Sequence, residues 1–227
     1  HCYAWMDGDA TIQPPPTVYN ILPSGDSCAP AIVRLNGSQI GISYRLILNN
    51  TVYLDSLYGT GGPLVFGTFN TAGIYKITAI DTLTHCEYQM ADSLRIFPAP
   101  LKYNILPNGI ACTYTEIMLD DSQPGVDYTL IFNGTNTIGS PVTGTGGPIS
   151  FGVQANPGTY TIEAIMETSG CHAVMTGSAI LEPRPIVYVI QPAGSHCEGT
   201  EIYLNGSQLG VEYHLLWNNV LQATVPG

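Results

Sequence analysis

Charged residues are scarce in this sequence, and basic residues are the scarcest. Asp, Glu, Lys and Arg make up only 10% of the 227 residues, and 17 acidic side chains outnumber six basic ones, for a formal net charge of −11. A surface that binds nucleic acid needs basic side chains to neutralise phosphates, and docking on anionic lipid needs basic clusters. The composition therefore argues against nucleic acid and anionic membrane surfaces as partners.

The sequence also lacks long apolar runs and catalytic motifs. No apolar stretch approaches the roughly 18 residues of a membrane-spanning helix, so we expect no membrane insertion. No G-x-S-x-G, Walker-type or H-E-x-x-H pattern occurs, although such patterns mark nucleophiles, phosphate cradles and metal-binding helices. We therefore predict no catalytic residue, no cofactor and no enzyme activity.

Apolar residues, glycine and proline are plentiful by contrast. Hydrophobic residues make up 44% of the chain, and 25 Gly and 17 Pro supply frequent turns. That much apolar surface is enough to bury a core. Many turns between short apolar segments are typical of strands rather than helices. The composition predicts an all-β fold.

The cysteines reveal an internal repeat. They form two series that share one period to within a single residue, the first-position cysteines Cys28, Cys112 and Cys197 and the second-position cysteines Cys2, Cys86 and Cys171. Two motifs keep the same period: N-G-S-Q-x-G-x-x-Y begins at Asn36 and Asn205, and G-T-G-G-P begins at Gly59 and Gly144. The second repeat has Asp120-Asp121 where the others have Asn-Gly, so we expect its turn to differ. A fixed period of about 85 residues matches the size of a small domain and is the signature of an array of like domains.

Proline-rich segments mark the borders between repeats. They lie at 14–16, 98–100 and 183–185, and proline stiffens a connection because it fixes φ. We therefore divide the chain into the end of a preceding repeat (1–13), two full repeats (14–98 and 99–183) and the start of a further, incomplete repeat (184–227). These border positions predict that the chain is one part of a longer array of repeats.

Alternating hydrophobicity predicts the strands of each repeat. Tyr44, Leu46 and Leu48 would share one face of a strand, with Ser43 and Arg45 on the other. The pattern predicts about seven short strands, near 18–22, 31–36, 43–49, 51–55, 64–69, 73–81 and 87–97. Strands separated by turns at this spacing are typical of a β-sandwich or barrel. A helix is the alternative for 89–95, where neither Gly nor Pro interrupts the sequence.

A repeat of this size has a small core, so we expect a covalent staple. A disulfide that closes a loop of about 60 residues would stabilise a repeat by roughly 4 kcal/mol in the chain-entropy model. Because each full repeat contains one cysteine of each series, the repeat favours the pairs Cys28–Cys86 and Cys112–Cys171. Cys2 and Cys197 would then pair with cysteines beyond this chain.

Metal binding is the alternative reading of the cysteines. His85-Cys86, Cys171-His172 and His196-Cys197 place imidazole beside thiol, but the close ligand pairs typical of zinc sites are missing. Asp7-Gly8-Asp9 could be considered as a calcium site, but this segment lacks the usual calcium-loop pattern. We therefore predict no metal site.

The repeated motifs resemble those of a known family. Tandem repeats with N-G-S-Q-x-G-x-x-Y, G-T-G-G-P-x-x-F-G, G-x-Y-x-I-x-A-I and a late cysteine are similar to the Ig-like repeats of very large Bacteroidota surface proteins. Those proteins are exported by the type IX secretion system, and they include gliding adhesins and extracellular fibres. The resemblance implies tandem Ig-like β-sandwich repeats in a rod-like array, located at the cell surface or outside the cell. It also implies O-linked glycans on Asp-Ser/Thr-aliphatic motifs, and the candidate sites are Ser56, Thr82 and Ser93.

The expected function is structural. The chain would be a stalk segment of a long extracellular fibre or adhesin, whose partners are neighbouring repeats, other copies of the fibre and a surface or glycan ligand at a distant tip. One alternative is a filament subunit that polymerises by donating a strand. Another is a carbohydrate- or protein-binding accessory module of a secreted protein, which would present exposed aromatic side chains. Trp217 aligns with the predicted core positions Leu48 and Phe132, which argues against such a module.

Overall fold

A computed structural model describes residues 7–8 and 12–227 of the chain. Cys2, Asp9 and most of the tail 1–13 lie outside the described residues. The described residues form strands and turns, with no helix among them. In this part of the chain, accordingly, no helix is long and apolar enough to span a membrane.

Both full repeats contain nine strands at equivalent positions, and four more strands follow. Those of the first repeat are β1 (Ile21–Leu22), β2 (Gly25–Cys28), β3 (Ala31–Leu35), β4 (Ile42–Leu48), β5 (Val52–Tyr58), β6 (Leu64–Phe69), β7 (Gly73–Asp81), β8 (Glu87–Gln89) and β9 (Leu94–Phe97). Those of the second are β10 (Ile105–Leu106), β11 (Gly109–Cys112), β12 (Thr115–Leu119), β13 (Val126–Phe132), β14 (Asn136–Thr143), β15 (Ile149–Gln154), β16 (Gly158–Met166), β17 (His172–Val174) and β18 (Ala179–Glu182). The remaining strands are β19 (Ile190–Gln191), β20 (Tyr203–Leu204), β21 (Glu212–Trp217) and β22 (Val220–Pro226).

Each full repeat is a sandwich of two sheets. In the first repeat the smaller sheet has the order β1-β3-β6, and the larger has the order β2-β9-β7-β4-β5 with β8 beside β7. The second repeat has the same arrangement, β10-β12-β15 and β11-β18-β16-β13-β14 with β17 beside β16. Within both repeats, neighbouring strands are antiparallel except for the parallel pairs β2–β9 and β11–β18. An initial strand that divides between the two sheets of an otherwise antiparallel sandwich is an Ig-like arrangement.

The faces predicted by alternation form the cores. Tyr44, Leu46 and Leu48 of β4 are at most 7% exposed, and they cluster with Val33 and Leu35 from the other sheet. The second repeat buries a separate core around the equivalent residues of β12, β13 and β16. Each full repeat therefore has a core of its own, and the predicted all-β, tandem Ig-like fold is confirmed.

In each sandwich, a buried tyrosine near the start of one central strand forms a hydrogen bond with the backbone that precedes the strand. Tyr75, near the start of β7, donates its hydroxyl hydrogen to the carbonyl oxygen of Thr71 at 2.8 Å. Tyr160, near the start of β16, donates to the carbonyl oxygen of Asn156 at 2.9 Å. Both rings are buried, and burial raises the pKa of each hydroxyl. A tyrosine that bonds back to the preceding backbone at this position is a feature of Ig-like sandwiches.

Two features of each repeat differ from the sequence-based expectation. The short strand β2 was not predicted, because it lies between Pro23 and Pro30, yet it pairs with β9 from Gly25 to Cys28. The single strand predicted near 87–97 is instead two strands, because β8 pairs with β7 and the chain then passes Asp92, at a φ of 64°, into β9; the alternative, a helix at 89–95, does not form. The backbone pairing of neighbouring strands decides both points.

The third repeat consists of two hairpins, β19–β20 and β21–β22. Its apolar positions are open: Ile190 is 55% exposed and Ile202 57%, whereas the equivalent Ile21 and Val33 are buried. Trp217, predicted at a core position, is 70% exposed. The physical reason is that, within residues 12–227, only β22 pairs with β21, whereas β4 lies between β5 and β7.

Candidate functional site: the borders between repeats

After each proline-rich border, a glutamine side chain accepts a hydrogen bond from the backbone of the segment that follows the prolines. This glutamine belongs to the N-G-S-Q motif or, in the second repeat, to the equivalent turn. The side-chain oxygen of Gln39 accepts a hydrogen bond from the backbone N–H of Thr17 at 2.6 Å. Thr17 directly follows the prolines, so the motif ties the body of the repeat to the segment that enters it. The equivalent pairs are Gln123 with the N–H of Leu101 at 3.1 Å and Gln208 with the N–H of Ile186 at 2.9 Å.

A tyrosine of the following strand orients each of these glutamines. The hydroxyl of Tyr44 accepts a hydrogen bond from the backbone N–H of Gln39 at 2.9 Å, and its ring is buried. Burial raises the pKa of Tyr44 above the usual 10.0. The final tyrosine of the motif is therefore a structural hydrogen-bond acceptor at neutral pH. The same contact joins Tyr128 to Gln123 at 2.8 Å and Tyr213 to Gln208 at 2.9 Å.

The serine of the motif joins it to the G-T-G-G-P loop. Ser122 donates its hydroxyl hydrogen to the carbonyl oxygen of Gly147 at 2.6 Å and accepts from the N–H of Thr145 at 3.0 Å. In the first repeat, Ser38 makes the same two contacts with Gly62 and Thr60. Both motifs thus form one structure, which we call the joint clamp. In the first repeat it comprises Ser38, Gln39, Tyr44 and the loop 59–63, and in the second Ser122, Gln123, Tyr128 and the loop 144–148.

The second repeat keeps a related contact despite Asp120-Asp121. Asp120 accepts a hydrogen bond from the N–H of Asn104 at 2.8 Å, as Asn36 accepts from the N–H of Asn20 at 2.9 Å. The Asn104 side chain also donates to Asp120 at 2.6 Å, and this bond is the main reason why the pKa of Asp120 lies below its usual range. The carboxylate therefore takes over the acceptor role of the amide.

Removing the tyrosine hydroxyl should loosen the first clamp. We expect Tyr44→Phe to lower the free energy of unfolding of the first repeat by about 1–3 kcal/mol, because it leaves the Gln39 N–H without its partner. Tyr58→Phe, in the same repeat but 74% exposed, is the matched control and should change little. Thermal unfolding followed by circular dichroism measures both. Equal effects of the two substitutions would contradict a structural role for the Tyr44 hydroxyl.

One disulfide crosses the border between the two full repeats. Cys28 lies at the end of β2 and pairs in register with Phe97, the last residue before the border 98–100. Cys171 lies in the turn between β16 and β17. This turn is at the end of the second sandwich where the N–H of Glu167 donates to the carbonyl oxygen of Gly125 at 3.1 Å. The two cysteines are bonded, with their Cα atoms 5.5 Å apart and a sequence separation of 143 residues. The first-position cysteine of one repeat therefore bonds to the second-position cysteine of the next.

This pairing replaces the predicted pairs within repeats, Cys28–Cys86 and Cys112–Cys171. The reason is that the two positions lie at opposite ends of one sandwich. Cys28 lies beside Phe97, near the start of β7, whereas Cys86 follows the end of β7. The nine residues of β7 span about 30 Å at the rise of a strand. Bonded cysteines have Cα atoms within about 7 Å, so neither predicted pair fits this fold.

The other described cysteines, Cys86, Cys112 and Cys197, are exposed and unbonded. The turn before Cys86 is ordered by Asp81, whose carboxylate accepts the N–H groups of Leu83 at 2.8 Å and Thr84 at 3.0 Å. Both hydrogen bonds lower the pKa of Asp81, and the bond from Thr84 contributes most. Within residues 7–8 and 12–227, no group of three or more His, Cys, Asp or Glu side chains is placed to hold a metal ion.

The three candidate glycosylation sites lie apart on the first repeat. Ser56, on β5, is half-buried, and its hydroxyl oxygen lies 2.8 Å from that of Ser43. Ser93 is half-buried just before β9. Thr82 is exposed in the turn after β7, and its hydroxyl donates to the carbonyl oxygen of Gly41 at 2.7 Å. Of the three hydroxyls, the one on Thr82 belongs to the most accessible residue.

The joint clamp was not predicted as a unit. The sequence showed both motifs at the right spacing, but alternation and periodicity do not report which turns meet in space. The sequence signal that could have indicated the clamp is that the two motifs and the proline-rich borders recur with the same period. The clamp fixes the segment that enters a repeat to the body of the same repeat, and the disulfide Cys28–Cys171 joins the two full repeats.

Comparisons with protein-family models and with curated proteins found no match. Among solved structures, a segment of two fibronectin type-III domains from chicken tenascin is 7% identical, with a TM-score of 0.41 over 73% of this chain and 98% of that one. An I-band fragment of titin is 14% identical, with a TM-score of 0.35 over 75% of this chain and 66% of that one. The SGBP-B protein of a Bacteroides ovatus mixed-linkage glucan utilization locus, solved with a heptasaccharide, is 16% identical, with a TM-score of 0.28 over 75% of this chain and 45% of that one. At TM-scores this low, the strand order of the chain itself defines the class: two Ig-like or fibronectin-III-like domains in series.

Proposed function

We propose that this chain is a structural segment of a long extracellular or cell-surface fibre or adhesin, without catalytic activity. The observation that carries the proposal is the fastened border between the two full repeats. The disulfide Cys28–Cys171 joins the repeats covalently, and Gln123 holds Leu101 directly after the prolines. The disulfide holds the two repeats together, and the bond from Gln123, which lies within the second repeat, shortens the connection that is free to bend.

An array with fastened borders is a rod-like spacer. Its units would be the repeats 14–98 and 99–183 and the incomplete repeat 184–227, preceded by the tail 1–13. Each full repeat resists unfolding through its own core, as in other arrays whose repeats contact only their neighbours. The spacer sets a reach, and a ligand-binding tip would lie elsewhere on the fibre.

Two observations support a location outside the cell. A disulfide persists in oxidising compartments and is rare in the cytosol. The motifs resemble repeats of Bacteroidota proteins exported by the type IX secretion system, and glycans on Ser56, Thr82 or Ser93 would belong to that setting. Thr82 is the first site to test, because it is exposed, and its glycan would replace the hydrogen bond to Gly41.

The intact mass of the native, non-reduced protein tests the proposal. We expect a polypeptide far heavier than 24.3 kDa, containing the peptide that links Cys28 to Cys171, with hexose additions at Thr82. A Thr82→Val variant, produced in the same cells, should lose that addition and keep the disulfide. A bare native polypeptide with no more mass than the present chain would overturn the fibre proposal.

A filament subunit that polymerises by strand donation is the second candidate. The open apolar face of the third repeat favours it, because Ile190, Ile202 and Trp217 are each more than half exposed. A donated strand could cover such a face. This candidate requires native polymers that dissociate into 24.3 kDa subunits in denaturant without reductant, whereas a long continuous fibre protein does not dissociate.

A further inference from the structure

We propose that Cys86 and Cys112 are the halves of further inter-repeat disulfides, so that an array of these repeats forms a continuous covalent ladder. Cys112 would bond to the second-position cysteine of the repeat that follows it. Cys86 would bond to the first-position cysteine of the repeat that precedes it. The inference rests on the proposed function in one respect, that the repeats occur in a longer array.

The turn that carries Cys86 has the same backbone hydrogen bonds as the turn that carries Cys171. In the first repeat, Asp81 donates its N–H to the carbonyl oxygen of Cys86 at 3.0 Å, and Cys86 donates to the side chain of Thr84 at 3.4 Å. In the second, Met166 donates to Cys171 at 2.8 Å, and Cys171 donates to Ser169 at 3.3 Å. The backbone of the turn around the exposed Cys86 is therefore held by the same hydrogen bonds as the turn around the bonded Cys171.

The first-position cysteines are equally alike. Cys28 ends β2 opposite Phe97, and the next residue donates its N–H to the Phe97 carbonyl oxygen at 2.9 Å. Cys112 ends β11 opposite Glu182, and the next residue donates its N–H to the Glu182 carbonyl oxygen at 2.8 Å. Phe97 and Glu182 each end the last strand before a proline-rich border. Cys112 therefore stands at its border as Cys28 stands at the one that is bridged.

The border after the second repeat has features that would hold a following repeat in place. Arg184 donates a hydrogen bond from Nε to the carbonyl oxygen of Thr113 at 2.9 Å, and its guanidinium lies 5.3 Å from the ring centre of Tyr114. Beyond the border, Gln208 bonds to the N–H of Ile186, as Gln123 bonds to Leu101. A complete repeat at this border would carry its second-position turn to Cys112, as the second repeat carries Cys171 to Cys28.

Each bond forms by thiol–disulfide exchange with a small-molecule disulfide such as oxidised glutathione. The thiolate of one cysteine attacks the glutathione disulfide, forms a mixed disulfide and releases one glutathione thiolate. The thiolate of the partner cysteine then attacks the protein sulfur of the mixed disulfide and releases the second glutathione. Two protein thiols are oxidised to one disulfide, and one glutathione disulfide is reduced to two thiols.

The consequence is an interlocked chain of covalent loops. Cys112 lies inside the segment that Cys28–Cys171 closes, so a bond from Cys112 to the following repeat would overlap that loop. Successive loops in such an array overlap in the same way. A pull on the fibre would then pass through disulfides rather than through the folded sandwiches, and most of each repeat would be shielded from extension.

A chain in which residues 101–185 are duplicated directly after Pro185 tests the ladder, because this insertion keeps Arg184 at the border after the first copy. The inserted copy carries Ile110→Val and Thr168→Ser, at exposed positions, so that its peptides have distinct masses. The chain is folded in a glutathione redox buffer, alkylated and digested with pepsin, whose acidic working pH suppresses exchange. We expect Cys112 of the first copy to be linked to Cys171 of the inserted copy and to lose its alkylation. The number of alkylated cysteines then equals that of the unmodified chain, although two cysteines were added.

The matched control carries Cys171→Ser in the inserted copy alone, and it should restore alkylation of Cys112 in the first copy. The Cys28–Cys171 peptide reports in both chains that the first border has folded. A free Cys112 in the first copy, a Cys112–Cys171 bond within one copy or a bond between two separate chains would each overturn the ladder. These outcomes are independent of the native mass, so failure of the ladder and failure of the fibre proposal are distinguishable.

Discussion

Stretching the oxidised chain between its two termini should release about 500 Å less contour length than stretching the reduced chain. The disulfide Cys28–Cys171 closes 143 residues into a loop that tension cannot reach, and an extended residue contributes at most about 3.6 Å. Force then passes from Cys28 directly to Cys171, so both sandwiches lie largely outside the loaded path. Single-molecule force spectroscopy with and without reductant measures the difference.

Two variants separate the disulfide from other effects of the reductant. Cys28→Ser should give the long extension even without reductant, because it removes the partner to which Cys171 is bonded. Cys86→Ser, which removes an exposed and unbonded thiol, should leave the short extension unchanged. An oxidised parent chain that released the same length as the reduced chain would show that the two repeats are not bridged.

Gly59→Ala should be among the most destabilising single substitutions in the first repeat, at about 3 kcal/mol. A Cβ at this position would lie 1.8 Å from the carbonyl oxygen of Gln39, a backbone atom that cannot move aside cheaply. The close approach is what lets the G-T-G-G-P loop meet the N-G-S-Q turn. Because Gln39 also holds Thr17, the substitution should disturb the border as well as the sandwich. Chemical denaturation of the oxidised chain measures the loss.

Gly62→Ala is the matched control in the same loop. Its Cβ would meet nothing nearer than the Thr60 hydroxyl oxygen at 3.9 Å, so we expect a change within about 0.5 kcal/mol. In the second repeat, Gly144→Ala should repeat the large loss, since its Cβ would lie 2.1 Å from the Gln123 carbonyl oxygen. Equal losses for Gly59→Ala and Gly62→Ala would show that the close approach to Gln39 is not the cause.

The alternating residues allowed the sandwich to be predicted. A strand with one buried face needs an apolar side chain at every second position, and this requirement is local enough to read from the chain. Tyr44, Leu46 and Leu48 of β4 met it, as did Tyr75, Ile77 and Ala79 of β7, and all are buried. The predicted core of the third repeat fared differently, because Trp217 follows the same alternation and is 70% exposed. Alternation reports which face is apolar, and it does not report whether another strand covers that face.

The clamp shows where local patterns stop being sufficient. Gly227 takes the place of Gly59 and Gly144, with its N–H donating to Val211 at 2.8 Å and its Cβ position 2.2 Å from the carbonyl oxygen of Gln208. Its spacing from the preceding motif differs slightly from theirs, so sequence comparison alone did not align it. The hydrogen bonds of the turn identify it, because they follow the position in space rather than the number of residues.

The amino-acid sequence by itself determined the period, the all-β character and the buried faces, because each depends on the order of residues along short segments. Only the tertiary structure decided how the cysteines pair. The separation of two cysteines along one repeat says nothing about which end of a sandwich each cysteine occupies. Strand β7 places Cys28 and Cys86 at opposite ends, and the order of the repeats brings Cys28 to Cys171. A disulfide forms only between atoms that the fold has already brought together, and in this chain the fold brings together cysteines of different repeats.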